Sequence, residues 1–188
     1  MQLAVFVSGN GSNLQCIIDA IQNNQLPHTK INLIVADRDC FAKERALKNN
    51  LHFIQFDRKT NWQHNIVEQL LKHQITHIIL AGFLTILPKM FCEIWPNKII
   101  NLHPALLPKY GGKGMYGLKV HQAVIDNKEP QSGATVHFVN ERIDEGAILL
   151  QNNCKVEVDD TAEKLQQKIH LIEHKILIKA IQLLHEKK

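Results

Sequence analysis

Short apolar runs alternate with longer amphipathic runs through the first half of this chain, and that alternation restricts the fold more than any other feature. Residues 3–7, Leu-Ala-Val-Phe-Val, are continuously apolar, as in a strand buried on both faces. Residues 12–22 then carry apolar side chains at helical spacing. The pair recurs as strand 31–36 with helix 41–49, strand 52–56 with helix 62–73, and strand 77–81 with a short helix 88–94. A fifth strand occupies 98–102. Such alternation predicts an α/β fold: a mostly parallel open sheet with helices on both faces.

After residue 102 the pattern changes. Residues 109–114 form a basic, glycine-rich loop, expected to be flexible, and 116–125 read as a helix. Strands at 134–140 and 147–158, separated by a turn, predict an antiparallel extension. Residues 161–185 form one long helix, which Thr161 can cap, with Asp159 and Asp160 favourable near its positive end. No repeat, low-complexity tract or linker interrupts the 188 residues, so a single domain over 1–188 is expected.

Composition narrows the function. A net charge of +4 favours an anionic small molecule but falls short of a nucleic-acid footprint, for there is no dense Lys/Arg stripe and few aromatics for stacking. Cys16, Cys40, Cys92 and Cys154 show no CxxC spacing, so neither a zinc site nor a redox motif is indicated. No apolar run is long enough to span a bilayer, and Met1 leads straight into the first strand without a basic n-region. A cytoplasmic location is expected.

In open parallel sheets ligands bind beyond the carboxyl ends of the strands. Three segments fall there, and their shared edge is the expected site. Residues 8–13, Ser-Gly-Asn-Gly-Ser-Asn, follow the first strand; the glycines admit close backbone approach, and the helix N-terminus attracts phosphate. The plainer alternative is a tight turn with Ser12 as helix cap. This is no Walker A loop, and as a dinucleotide fingerprint it is incomplete, since Leu14 holds the third glycine position. Asp37, after the second strand, is placed to imitate a ribose-binding acid, which keeps a nicotinamide enzyme as an alternative. Residues 82–87 follow the fourth strand. The fifth leads into Asn101-Leu102-His103-Pro104-Ala105-Leu106-Leu107-Pro108. Pro104 disfavours the helical region for His103, and in an extended segment residues two apart share a side. Asn101 and His103 should therefore face one space. An amide to hold an oxyanion beside an imidazole to move protons suits acyl transfer. Asp144, in a Gly-containing turn, is a further candidate. Most such acids are merely solvated; if this one reaches His103 it should orient the ring and raise its pKa.

His170-Leu171-Ile172-Glu173-His174 matches the HxxEH of inverted zinc peptidases. A third ligand is then required, and only Glu186 remains near the chain's end, so no metal is expected. Ala162, Leu165, Ile169, Ile172, Ile176, Ala180 and Leu183 form one apolar stripe, and Glu173 falls within it while both histidines lie at or beyond its border. A carboxylate there needs a partner, an amine or Arg from the protein or a substrate. An internal salt bridge satisfies that need as well as a ligand does.

Taken together, residues 8–13, Leu80-Ala81-Gly82-Phe83, Asn101 through Tyr110, and Val136-His137-Phe138-Val139 resemble the phosphoribosylglycinamide formyltransferase family, in order over nearly the whole chain. The resemblance implies a formyltransferase fold with a Rossmann-like N-terminal half. It implies transfer of the formyl group of 10-formyltetrahydrofolate to the primary amine of glycinamide ribonucleotide in purine (IMP) biosynthesis, with no metal, by a monomer or homodimer. Gly11, Ser12 and Asn13 would hold the ribonucleotide phosphate, and Glu173 would bind near its amine. Asn101 would donate to the oxyanion, protonated His103 would act as general acid, and Asp144 would support His103 and relay a proton. Leu84, Thr85, Ile86 and Leu87, with Val139, Asn140, Glu141, Asp144 and Asn101, would line the folate pocket, together with Lys59. Thr85 stands where the family often has Arg, which implies weaker attraction to the folate tail, and Lys59 lacks the planar fork of the usual Arg. Three rivals remain: a formyltetrahydrofolate hydrolase, a methionyl-tRNA formylase and a non-catalytic nucleotide sensor. The first would carry an N-terminal regulatory domain, and the second a C-terminal domain with a basic RNA surface. The third would not need His103 or Asp144.

Overall fold

The computed structural model describes residues 1–186, which fall into two compact units, Met1–Ile100 and a second beginning at Asn101. The first contains β1 (Gln2–Val7), α1 (Ser12–Gln22), β2 (Lys30–Ala36), α2 (Ala42–Lys48), β3 (Phe53–Gln55), α3 (Trp62–Lys72), β4 (His77–Leu80) and α4 (Lys89–Ile94). β5 (Ile99–His103) carries the boundary. The second contains α5 (Leu118–Asp126), β6 (Gln131–Phe138), β7 (Ile148–Lys155) and α6 (Ala162–Glu186). Among the described residues no helix is long and apolar enough to cross a membrane.

In the first unit the strand order is β3-β2-β1-β4-β5, and β1 pairs in parallel with both β2 and β4. The chain steps outward from β1 to β3 and then returns to the other side of β1. With right-handed crossovers, that reversal places α1 and α2 on one face and α3 on the other. It also creates a switch point between β1 and β4, where the loops leaving both strands must diverge. The apolar run of β1 is buried from Leu3 onward. Phe6 meets Phe83 edge-on at 5.2 Å and Phe91 at 6.4 Å, and Phe56 stacks on Trp62 at 4.2 Å. Each such pair adds about 1 kcal/mol beyond its buried area. Phe83 is thereby anchored in the core, and the loop that follows it is fixed at its root.

In the second unit β6 lies between β5 and β7 and pairs antiparallel with β7. The long helix α6 packs against β6, β7 and α5. Its buried face includes Ala162, Leu165, Ile169, Glu173, Ile176, Leu177, Ala180, Ile181 and Leu184. Ile172 and Leu183, placed on the stripe by the helical wheel, are only half-buried. Thr161 caps the helix as expected, its hydroxyl accepting from Lys164 N–H at 3.3 Å.

Three local expectations need correction. Ser12 is not the cap of α1; Gly11 holds that position at φ 76°, a left-handed conformation that an L side chain rarely adopts, and Ser12 is the first helical residue. β6 begins at Gln131, three residues before the predicted start, because pairing with β7 runs the whole length from Gln131 to His137. The loop at 109–114 is not loose: Lys109, Tyr110 and Gly112 tie it to His103, Glu129 and Asp144.

Candidate active site

Asn101 and His103 lie two residues apart on β5, and the structure brings both to Asp144. Asn101 Nδ2 donates to Asp144 Oδ1 at 3.3 Å across 43 residues of chain, and His103 Nδ1 lies 3.5 Å from Asp144 Oδ2. The common side predicted from the extended backbone is thus present. Asp144 sits at φ 57°, a left-handed turn position that Asp tolerates better than most residues. Its carboxylate also accepts Gly112 N–H at 2.9 Å and lies 3.5 Å from His137 Nε2.

His103 is 4 % exposed. Its Nε2 hydrogen-bonds to the Tyr110 carbonyl at 2.8 Å, which puts the proton on Nε2 and leaves Nδ1 facing Asp144. Burial pulls the imidazole down. The Asp144 charge and the Tyr110 hydrogen bond push it up, as does Glu173, while His137 pulls it further down. Burial prevails, and His103 titrates below its ordinary value. The carboxylate therefore acts in the expected direction but does not set the outcome, and the resting imidazole is neutral at pH 7. Asp144 shows the opposite balance. Burial raises it, but the neighbouring imidazoles of His137 and His103 and the Gly112 amide together hold it below the usual carboxylate range.

The backbone around these groups is fixed by its own polar network. Thr135 on β6 donates to the Ala105 carbonyl at 2.6 Å and accepts Leu107 N–H at 3.2 Å. Gln151 on β7 donates to Thr135 Oγ1 at 2.8 Å and to the Leu107 carbonyl at 3.1 Å. The 109–114 loop is held through Tyr110 to His103, through Gly112 to Asp144, and through Lys109 and Tyr110 to Glu129 at 2.8 and 3.0 Å.

Two further residues belong here that sequence reasoning misses. His137 stands out in the sequence only within a family motif, yet it is 2 % exposed, donates from Nδ1 to the Phe138 carbonyl at 2.9 Å and presents Nε2 to Asn101 Nδ2 at 3.1 Å. Both N–H groups of Asn101 are consequently engaged, by His137 and by Asp144. His121 on α5 is the other, 2 % exposed, with no hydrogen-bond partner for its Nδ1.

Glu173 is buried on α6, and its carboxylate is met by His170 Nδ1 at 2.6 Å, one turn earlier on the same helix. Among the described residues the hydrogen-bond partner of Glu173 is this imidazole rather than an amine or Arg of the protein. That hydrogen bond raises His170, more than its partial burial lowers it, and the Glu173 charge adds to the rise. Among the described residues no group of three or more His, Cys, Asp or Glu is gathered as for a metal ion. The side chain of Glu186, the remaining zinc ligand considered, lies outside the described residues.

In the first unit the loop at 8–13 opens α1. A Cβ at Gly11 would stand 2.8 Å from Ala42 Cβ, so α2 packs directly on the loop. Arg45 of α2, which no sequence pattern marks, clamps Asn10 by donating from Nε to its carbonyl at 2.9 Å and from Nη2 to its side-chain oxygen at 2.8 Å. Asn13 is buried, and its Oδ1 has no hydrogen-bond partner. At the switch point Leu84 N–H donates to Ser8 Oγ at 2.8 Å, so the loops after β1 and β4 meet. Leu84 and Ile86 are exposed, Thr85 is half-buried and Leu87 is buried. Lys59 is exposed in the turn after β3, its backbone N–H on Asp57 Oδ1 at 2.9 Å, and among the described residues its ammonium has no hydrogen bond to 84–87. In the second unit Val139 is half-buried, and Asn140 and Glu141 are exposed beyond β6.

Residues 1–181 match the family model described as formyl transferase. The chain is 36 % identical over 186 residues to the chloroplastic phosphoribosylglycinamide formyltransferase of Arabidopsis thaliana, covering 96 % of this chain and 64 % of that protein. It therefore spans less than two-thirds of the plant relative's length. It is 32 % identical over 181 residues to the phosphoribosylglycinamide formyltransferase of Escherichia coli (strain K12), covering 94 % of this chain and 83 % of that one. The crystal structure of glycinamide ribonucleotide transformylase 1 from Symbiobacterium toebii superposes with a TM-score of 0.92 at 30 % identity, covering 100 % of this chain and 88 % of that chain.

Proposed function

The chain belongs to the formyl transferase family, and on that premise we propose that it transfers the formyl group of 10-formyltetrahydrofolate to the primary amine of glycinamide ribonucleotide. The amine nitrogen bonds to the formyl carbon, the bond from that carbon to N10 of the folate breaks, and the amine proton ends on N10. The products are formylglycinamide ribonucleotide and tetrahydrofolate, a step of purine synthesis. In this reading residues 1–188 act as one formyltransferase domain, in the cytoplasm.

One observation carries the proposal: a single carboxylate, its side chain 11 % exposed, meets the amide of Asn101 at 3.3 Å and the imidazole of His103 at 3.5 Å. As the amine attacks, negative charge develops on the formyl oxygen and positive charge on nitrogen. His103, neutral at rest, takes the amine proton at Nδ1. The imidazolium so formed is stabilised by Asp144, whose depressed pKa keeps it ionised. His103 then returns the proton to N10. Resting protonation is thus replaced by protonation during the reaction. Asn101 serves the oxyanion by exchanging its longer bond, that to Asp144, for the substrate oxygen. One such donor is worth about 3 kcal/mol of barrier.

The ribonucleotide phosphate is assigned to Gly11, Ser12 and Asn13, and its amine to Glu173. The folate is assigned to 84–87, 139–141 and Asp144, with Lys59 toward its tail. Mixing the protein with 10-formyltetrahydrofolate, with and without glycinamide ribonucleotide, tests the reading. Tetrahydrofolate release that depends on the ribonucleotide is the expected result. Release with water alone identifies a hydrolase, and no release with retained ribonucleotide binding identifies a sensor; either outcome overturns the proposal.

A further inference from the structure

We propose that Asp37 is a positioning residue that holds the 84–87 loop, through Ser8 and Thr85, in the shape that receives the folate. The assignment of folate to that loop rests on the proposed function; the grip itself does not.

Asp37 follows β2, and its side chain is wholly buried. Sequence pattern alone allows it the part of a ribose-binding acid. The structure turns its oxygens inward instead. Oδ1 accepts Arg38 Nε at 2.9 Å, and Oδ2 accepts Arg38 Nη2 at 2.8 Å and the Thr85 hydroxyl at 2.7 Å. The Ser8 hydroxyl also donates to this carboxylate. A hydroxyl has one proton, so Ser8 meets its remaining neighbour as an acceptor, and Leu84 N–H fills that role at 2.8 Å. One carboxylate thus fixes two consecutive residues of the loop, Thr85 directly and Leu84 by way of Ser8.

The geometry has a functional direction. The loop shows Leu84, 41 % exposed, and Ile86, 61 % exposed, to the outside, while its backbone and the Thr85 hydroxyl are tied to the charged hub behind. Exposed apolar side chains on a rigid backbone form a preorganised platform for a flat, largely apolar ligand, and rigidity of this kind raises affinity by reducing the ordering required on binding. Charge-assisted hydrogen bonds to a buried carboxylate are the strong kind, suited to hold an exposed loop. Thr85 therefore acts through its hydroxyl, toward Asp37, rather than as a contact to the ligand's charge.

The test uses the full chain with Thr85→Val, Thr85→Ser and Asp37→Asn. Two readouts are needed: steady-state KM values for both substrates, and hydrogen–deuterium exchange of the Leu84 amide without ligand. Thr85→Val and Asp37→Asn are expected to raise the KM for 10-formyltetrahydrofolate about tenfold. The KM for the ribonucleotide should stay within about twofold for Thr85→Val. Leu84 exchange should quicken in both variants while the β1 amides stay protected, and Thr85→Ser, which keeps the hydroxyl, should restore both readouts. Wild-type folate KM together with wild-type Leu84 exchange in Thr85→Val overturns the proposal. Faster Leu84 exchange in a protein whose wild type transfers no formyl group sustains the grip and removes the functional reading alone.

Discussion

His121 should make this protein acid-sensitive, and the size of the effect follows from its surroundings. The ring is 2 % exposed on α5, and Nδ1 has no hydrogen-bond partner. Burial lowers it most, Glu173 raises it, and His170 and His103 lower it further; the result is a fall from the ordinary 6.5 to about 4. A histidine whose folded pKa is depressed stabilises the fold in its neutral form. That stability is fully present above the unfolded value of 6.5 and is lost as pH falls toward 4. A tenfold difference in proton affinity between the folded and unfolded states corresponds to about 1.4 kcal/mol, so this group should remove about 2 kcal/mol of stability between about pH 7 and about pH 5. The perturbation is His121→Leu, which keeps bulk and removes the titration. Urea unfolding followed by circular dichroism at both pH values gives the slope for each protein. Wild type should lose about 2 kcal/mol more than the variant over this interval. Parallel losses in the two proteins would refute the argument, because they would show that His121 does not gain its proton on unfolding.

Other substitutions test the site directly. His103→Ala should lower transfer by about 10²- to 10⁴-fold while ribonucleotide binding, measured by calorimetry, survives; equal activity would remove His103 from the mechanism. Because His103 is neutral at rest and titrates below its ordinary value, kcat/KM should be flat near neutrality and fall only at acid pH. Asp144→Asn, which removes the largest upward influence on the ring, should move that limb lower still, as a pH–rate profile would show. Glu173→Gln should weaken ribonucleotide binding or turnover, about tenfold, with no response to added zinc; stoichiometric zinc whose chelation abolishes activity would revive the peptidase reading. Gly11→Ala should raise the ribonucleotide KM by about tenfold or more, since both the left-handed backbone and the 2.8 Å approach of Ala42 oppose a side chain there, and an unchanged KM would detach the phosphate from this loop.

The fold is largely legible in the sequence because periodicity is a local property. Five short strands spaced by amphipathic helices leave few architectures, and the bounds of α1 are readable to the residue. Asn101 and His103 are legible for the same reason, since two residues on one extended segment share a side whatever surrounds them. Asp144 is different. No local rule carries a carboxylate across the 43 residues that separate it from Asn101. His137 is hidden by its setting: within a strand it is indistinguishable from a core histidine until its partners are known. Burial reverses one sign. Once Asp144 is beside His103 the direction in which its charge moves the ring follows, but not the water that the fold takes away from the ring. Gly11 and Ser12 show a similar limit, since a serine before a helix is a good cap until a left-handed glycine takes the position. Asp37 undergoes the largest change of meaning, from a ligand-facing acid to an inward-facing one, and only the hydroxyls of Ser8 and Thr85 reveal it.

In the proposed reaction the formyl carbon moves from folate nitrogen to the glycinamide amine. A donor carrying a 13C-labelled formyl group, incubated with glycinamide ribonucleotide and the protein, can be followed by carbon NMR. The label should appear as the formamide carbon of the ribonucleotide, with loss of that product in His103→Ala. Label recovered as formate, or retained on the folate, would contradict that reaction.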